Sequence, residues 1–430
     1  MMKRRLHALL SSLALLLSPA ATSAPVVQPP ALPQPVDAAN AAYQEGLGGL
    51  VANNLAASEA AFRRSLSLDP KRADAMLGLA EVAFRRKQLD EAKKLIIKAV
   101  DAEPRNANAH ASLGRVHALE RAYDKAEQAL KQAIALDITL VRPRMDLADL
   151  YATALRKPAD AVQLYKDVIA IAPEHAGAHY AQGVILAGIT DRVDEARSLL
   201  EKAAVLEPRN PLPALALARL SAGAGDMAAA QQWLAKALEI DPRQPEAREL
   251  KGDFLHAQGD ATRALDEYKA AAATQTTNGM ALAKIGSIHQ SAGRTNEAIT
   301  AYRESIERTP QNAIALNNLA FLLANKGNLK EAATFAHSAV RAAPNNAALL
   351  DTLGVIEHKQ GKHREAVATL SQAAQAAPRS GLIQFHLGLA HVAASQRDEG
   401  GKALRAALEL EPDSEWATEA RSSLSRLNGN

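Results

Sequence analysis

The chain has 430 residues, 48% hydrophobic but only 3% aromatic, with no cysteine and a formal net charge of +3. Without cysteine there is no disulfide, no thiolate metal site and no lipidated N-terminal cysteine, and so few aromatic residues argue against a large globular core. The positive excess lies entirely in Lys3, Arg4 and Arg5: without them 47 basic residues face 47 acidic ones, so no long-range field remains to attract a nucleic-acid backbone or an anionic membrane.

Those three residues precede an apolar run from Ala8 to Leu17, then Ser18-Pro19 and the small residues Ala20 to Ala24. This order predicts a secretory signal peptide over residues 1–23, with Ala21 three residues before the cut and an apolar run too short to span a bilayer. Arg4-Arg5 is followed by Leu6-His7-Ala8, a departure from the twin-arginine pattern, so the general secretory route is expected. The predicted destination is the periplasm of a Gram-negative bacterium. Residues 24–38, including "APVVQPPALPQPVD", predict an extended proline-rich tether.

From residue 39 the chain repeats. Pro70, Pro104, Pro173, Pro208, Pro242, Pro310, Pro344, Pro378 and Pro412 recur at 34 or 35 residues or multiples of about that, with Ile138 and Thr276 where two further prolines would fall. A period of this length means stacked helix pairs, and the register gives eleven units over 39–414. Two columns not used to find it agree. One holds Gly46, Ala80, Gly114, Ala148, Gly183, Ala218, Gly252, Gly286, Ala320, Gly354 and Gly388; the other runs from Ser58, Ala92 and Ala126 to Ala366 and Gly400. One small column per helix lets antiparallel backbones approach, while Phe62, Ile96, Leu130, Tyr165, Leu200, Tyr268, Tyr302 and Leu370 fill the space around them.

Boundary residues fit the same register. Gly225, Gly259, Gly293, Gly327 and Gly361 are expected to end first helices in the left-handed conformation. Asp90-Glu91, Asp194-Glu195 and Asn296-Glu297 are expected to cap second helices and complement their dipoles. Pro211 and Pro245 suit the first turn of the next helix. Extra residues near Pro158 and Thr190 mark an expected mid-array bend. Residues 415–430 hold a capping helix and tail, with Trp416, Ala420, Leu424 and Leu427 on one face to cover the last unit.

The phosphate-loop, G-x-S-x-G and H-E-x-x-H patterns do not occur, so no catalytic residue, cofactor or metal is expected. His175 and His179 have a metal-compatible spacing, but His175 falls in an inter-unit turn and His179 in a packing column. His117, His289 and His391 share another packing column.

The small columns, the aromatic or leucine of the second helix and the closing proline resemble the tetratricopeptide repeat (TPR) family, most plainly in "ADAMLGLAEVAFRRKQLDEAKKLIIKAVDAEPRN" and "AIALNNLAFLLANKGNLKEAATFAHSAVRAAPNN". The resemblance implies an all-α, right-handed superhelical solenoid of about eleven helix-turn-helix units plus the capping helix. It also implies a concave groove lined by first helices that binds protein or peptide segments. In this chain the implied groove positions select Leu212, Leu215, Tyr180 and Val184, with Arg115, Arg142 and Arg219 nearby, a lining suited to a carboxylate-bearing peptide. Glu246, Glu249 and Asp253 would oppose a basic segment. Ile314, Phe321, Leu382, Phe385, Leu389 and Val392 form an apolar stripe for an amphipathic helix, or else pack between helices. The family's carboxylate clamp is matched only by Asn318. The C-terminal units resemble TPR proteins of bacterial exosortase and exopolysaccharide systems, which implies a scaffold for polysaccharide-export components. A polysaccharide-binding guide and a self-associating structural protein are the alternatives.

Overall fold

A computed structural model describes residues 35–428; the expected signal peptide and residues 24–34 of the expected tether lie outside them. Among the described residues there are 23 α-helices, a single 3-10 turn and no strand. They run as α1 (Pro35–Val51), α2 (Leu55–Leu68), α3 (Ala73–Arg85), α4 (Leu89–Ala102), α5 (Ala107–Leu119), α6 (Tyr123–Leu136), α7 (Val141–Thr153), α8 (Pro158–Ile171), α9 (Ala176–Leu186), α10 (Val193–Leu206), α11 (Pro211–Gly223) and α12 (Met227–Ile240). They continue as α13 (Pro245–Ala257), α14 (Ala261–Thr274), α15 (Met280–Ser291), α16 (Thr295–Arg308), α17 (Ala313–Asn325), α18 (Leu329–Ala342), α19 (Ala347–Lys359), α20 (His363–Ala376), α21 (Gly381–Ala393), α22 (Arg397–Leu410) and α23 (Ala417–Asn428). Odd-numbered helices up to α21 are the first helices of eleven pairs, and even-numbered ones the second. The end of the expected tether is corrected: Pro35 to Ala38 belong to α1.

Two compact units divide the chain between Ala224 and Gly225, in the turn of the sixth pair. Within each, a helix packs on its pair partner and on the next pair. Helices of 13 or 14 residues are marginal alone, so lateral burial holds them. The first small column now has a defined cause. A Cβ on Gly46 would stand 2.4 Å from Phe62 Cε1, one on Gly252 2.5 Å from Tyr268 Cε1, and one on Gly286 2.7 Å from Tyr302 Cδ1. The large residue of the second helix therefore sits directly on the backbone of the first. Phe62 is fully buried, which contributes about 1.5–3 kcal/mol. The second small column brings the two backbones of a pair together from the other side: Ser58 Oγ donates to the Gly46 carbonyl at 2.7 Å.

All five predicted cap glycines have positive φ, from 72° to 84°. Other pairs make the same turn with Asn53, Lys87, Arg121, Arg156 and Ser395, at φ of 53° to 64°, where a side chain costs about 1–2 kcal/mol. At the insertion near Thr190 a 3-10 turn, Thr190–Arg192, takes its place. The capping expectation is corrected. Asp90 and Asp194 lie inside the first turns of α4 and α10, and Asn296 inside that of α16, so they act on the dipole or not at all. The side chains that cap are Asn106, His175, Asn210, Asn312, Asn346 and Ser380 on first helices, and Asn54, Asp226 and Asp260 on second ones. Pro211 and Pro245 occupy first-turn positions as expected.

At the C-terminal end α23 covers the last pair. Trp416, Ala420, Leu424 and Leu427 pack with Phe385, Leu389, Val392 and Leu404 in one apolar cluster.

Candidate protein-binding groove

The polar side chains of the first helices are joined by a rule that crosses repeats. Lys284 Nζ of α15 donates to both carboxylate oxygens of Asp253 of α13 at 2.7 Å, 31 residues apart. In the first unit Arg115 of α5 and Asp146 of α7 have the same spacing, with opposite signs of charge, but stand 3.9 Å apart. Arg115 also donates to Ser112 Oγ at 3.2 Å, and Arg142 Nε reaches Asp146 Oδ1 at 2.9 Å. Two guanidiniums thus share one carboxylate. Burial pushes Asp146 above the usual carboxylate range against the pull of Arg115 and Arg142, and burial lowers Arg115. The structure brings Arg115 and Arg142 together on Asp146. Arg219, on α11, is exposed.

The acidic trio is corrected. Asp253 is not an open acid: besides Lys284 it accepts from Tyr268 Oη at 2.7 Å, and burial beside that carboxylate raises the phenol. Glu249 lies 3.8 Å from the same Lys284, and Glu246 accepts from Gln275 at 2.7 Å. Tyr165 Oη donates to Asp149 at 2.5 Å in the same way. Lys284 is the residue that sequence reasoning missed; the 31-residue offset, not the 34-residue period, reveals it.

The apolar lining is also sorted. Leu215 and Phe385 are each 4% exposed, so they are core residues and not groove lining. Phe385 stacks on Trp416 at 4.9 Å between centroids, and Leu389 and Val392 lie half-buried in the same cluster: the chain's own last helix covers this end of the expected stripe. Tyr180 is half-buried, and Leu212 and Val184 are exposed. In the second unit Ile314 is 60% and Phe321 46% exposed, and Met280 and Leu382 are exposed too. Met280, Ile314 and Leu382 stand at one register of successive first helices, with Ala348 between them. Met280 is a further member that the sequence reading passed over.

His175, His179 and His289 have local partners. His175 Nδ1 accepts from the Ala178 amide as the α9 cap, and His179 Nε2 lies 2.8 Å from the Pro173 carbonyl. His289 Nδ1 accepts from Arg294 at 2.8 Å. Asn318 donates to Tyr302 Oη at 3.1 Å.

Repeated antiparallel helix pairs with this packing define an α-solenoid of the helix-turn-helix type. The chain belongs to the tetratricopeptide repeat family: family models described as tetratricopeptide repeat match residues 50–116, 146–213, 190–254, 284–347 and 353–415, more than half of the chain. It is similar to a cellulose synthase 2 operon protein C of Komagataeibacter xylinus, 29% identical over 57% of this chain and 20% of that protein. It is also similar to a TPR repeat-containing protein of Pseudomonas aeruginosa, 32% identical over 39% of this chain and 28% of the relative. The chain thus spans well under half the length of these curated relatives. A solved TPR protein from Parabacteroides merdae matches at a TM-score of 0.50 and 16% identity, over 59% of this chain and 99% of that one, a likeness of fold. Among the described residues no helix is long and apolar enough to cross a membrane.

Proposed function

We propose that this is an exported, non-enzymatic scaffold that holds protein segments in the groove of its first helices, in the assembly or export of an extracellular polysaccharide. The observation that carries the reading is the column of exposed apolar side chains, Met280, Ile314 and Leu382, joined by Phe321. Water-exposed large apolar residues repeated at one register of a solenoid mark a surface that a partner covers. An amphipathic segment fits this surface. Similarity to a cellulose synthase operon protein supports the polysaccharide setting, and the signal-like order of Lys3, Arg4 and Arg5 before the apolar run Ala8 to Leu17 supports export.

Cross-linking in the native cell envelope, followed by mass spectrometry of captured proteins, tests this with Phe321→Asp and Arg219→Glu beside the wild type. Envelope proteins captured by the wild type and lost in Phe321→Asp are the expected result. Identical partners in all three chains, or capture of the chain by itself alone, would overturn it in favour of another surface or of self-association.

A further inference from the structure

We propose that the corner joining α19 to α20 in the second unit is an acid-sensitive joint, which opens when His358 takes up a proton. His358 stands in the last turn of α19 and His363 begins α20; their ring centroids are 5.1 Å apart. The Nδ1 atoms of both rings are buried without a hydrogen-bond partner. A neutral imidazole leaves only a lone pair unmet there, whereas an imidazolium carries N–H on both nitrogens. Protonation would therefore create a buried donor with no acceptor, together with a charge beside a second imidazole.

The surroundings offer no compensating acid. Asp351 of α19 is held by His386 of α21 at 2.7 Å. Glu357 is buried with its Oε2 unpartnered, but it is next to His358 in sequence, and adjacent helix residues do not face one another. Lys359, on the same helix, donates to Asn325 of α17 at 3.3 Å, and α18 meets the corner through the Leu329 carbonyl, which accepts from Gln360 at 2.8 Å. The charges that reach His358 are those of His363, His386 and Lys359; they add to burial in holding its imidazole below the ordinary value. With the folded value depressed, the joint is at full stability above about pH 6.5, the ordinary histidine value, and loses stability as pH falls below it. Because α19 packs on α17, α18, α20 and α21, opening at this corner loosens the stack on both sides.

Hydrogen exchange of the full chain at pH 7.5 and 5.5, corrected for intrinsic rates, tests the joint in wild type, His358→Gln and His337→Gln, the last an exposed control on α18. Loss of protection across α19 and α20 at pH 5.5 in wild type and His337→Gln, and no such loss in His358→Gln, is expected. An equal acid response in His358→Gln, or an unchanged wild type, would overturn the proposal. If His358→Gln does not fold, NMR titration of the His358 ring in the wild type decides: a midpoint below 6.5 that rises in His363→Gln supports the joint, and one at or above 6.5 refutes it.

Discussion

At the level of single residues, the repeat is written by what a backbone must leave empty. Tyr268 and Phe62 lie against glycines of the preceding helix so closely that one added carbon has no room. Gly252→Ala should therefore destabilise the protein by about 1–3 kcal/mol, the usual range for overpacking, although alanine is the better helix former. Gly48 of α1 supplies the opposite case. It is exposed, and a Cβ there meets nothing within 4 Å, so Gly48→Ala should stabilise by roughly 0.5–1 kcal/mol through chain entropy alone. Urea midpoints of the two variants should shift in opposite directions. Shifts of the same sign would show that helix propensity, and not the seat of the ring, governs the column.

At the level of elements, side chains that bridge successive pairs decide which helix contacts are tight. Glu127 of α6 accepts from Tyr151 Oη of α7 at 2.8 Å, from Lys157 at 3.2 Å and from Lys131 of its own helix at 2.6 Å. The Lys131 hydrogen bond, with those from Tyr151 and Lys157, lowers the Glu127 carboxyl to about 2. Its folded value is below its unfolded one, so its contribution is complete above about pH 4.3 and is lost as the pH falls toward 2. Stability measured against pH should fall less steeply through that range in Glu127→Gln than in the wild type, and equal slopes would remove Glu127 as a tie. Contacts of this kind separate what the sequence reveals from what it hides. Helix pairs and their small columns follow from one period, because each pair meets the same steric demand. Lys87 and Ser395 in left-handed turns escape that reading, since two helices fixed by packing can force the conformation on a side chain that does not prefer it. Asp253 reads as an open acid because its partners, Tyr268 and Lys284, come from different helices at different offsets. Phe385 reads as groove lining because its position is right, and the packing of Trp416 and α23 against it and α22 makes it a core residue.

At the level of the whole molecule, an array with no single core depends on its ends. Each pair buries its apolar face on its neighbours, and the outer face of the last pair is covered by α23. On α21 the exposed column ends at Leu382, while Phe385, Leu389 and Val392 further along the helix are covered by α23. Trp416 is the main contact, stacked on Phe385 with the rings 15° from parallel, and such a pair contributes about 0.5–1.5 kcal/mol beyond the area it buries. Trp416→Ala should accordingly expose this face locally. Hydrogen exchange should lose protection in α21, α22 and α23 while α13 to α16 keep theirs, because in a nearest-neighbour array the energy of an end contact is felt mainly by the pair that makes it. The uncovered face should also make the variant's sedimentation mass rise with concentration more than that of the wild type. Protection lost evenly from α13 to α23 would mean that the second unit unfolds as one cooperative body, with α23 a part of its core and not a lid on its end.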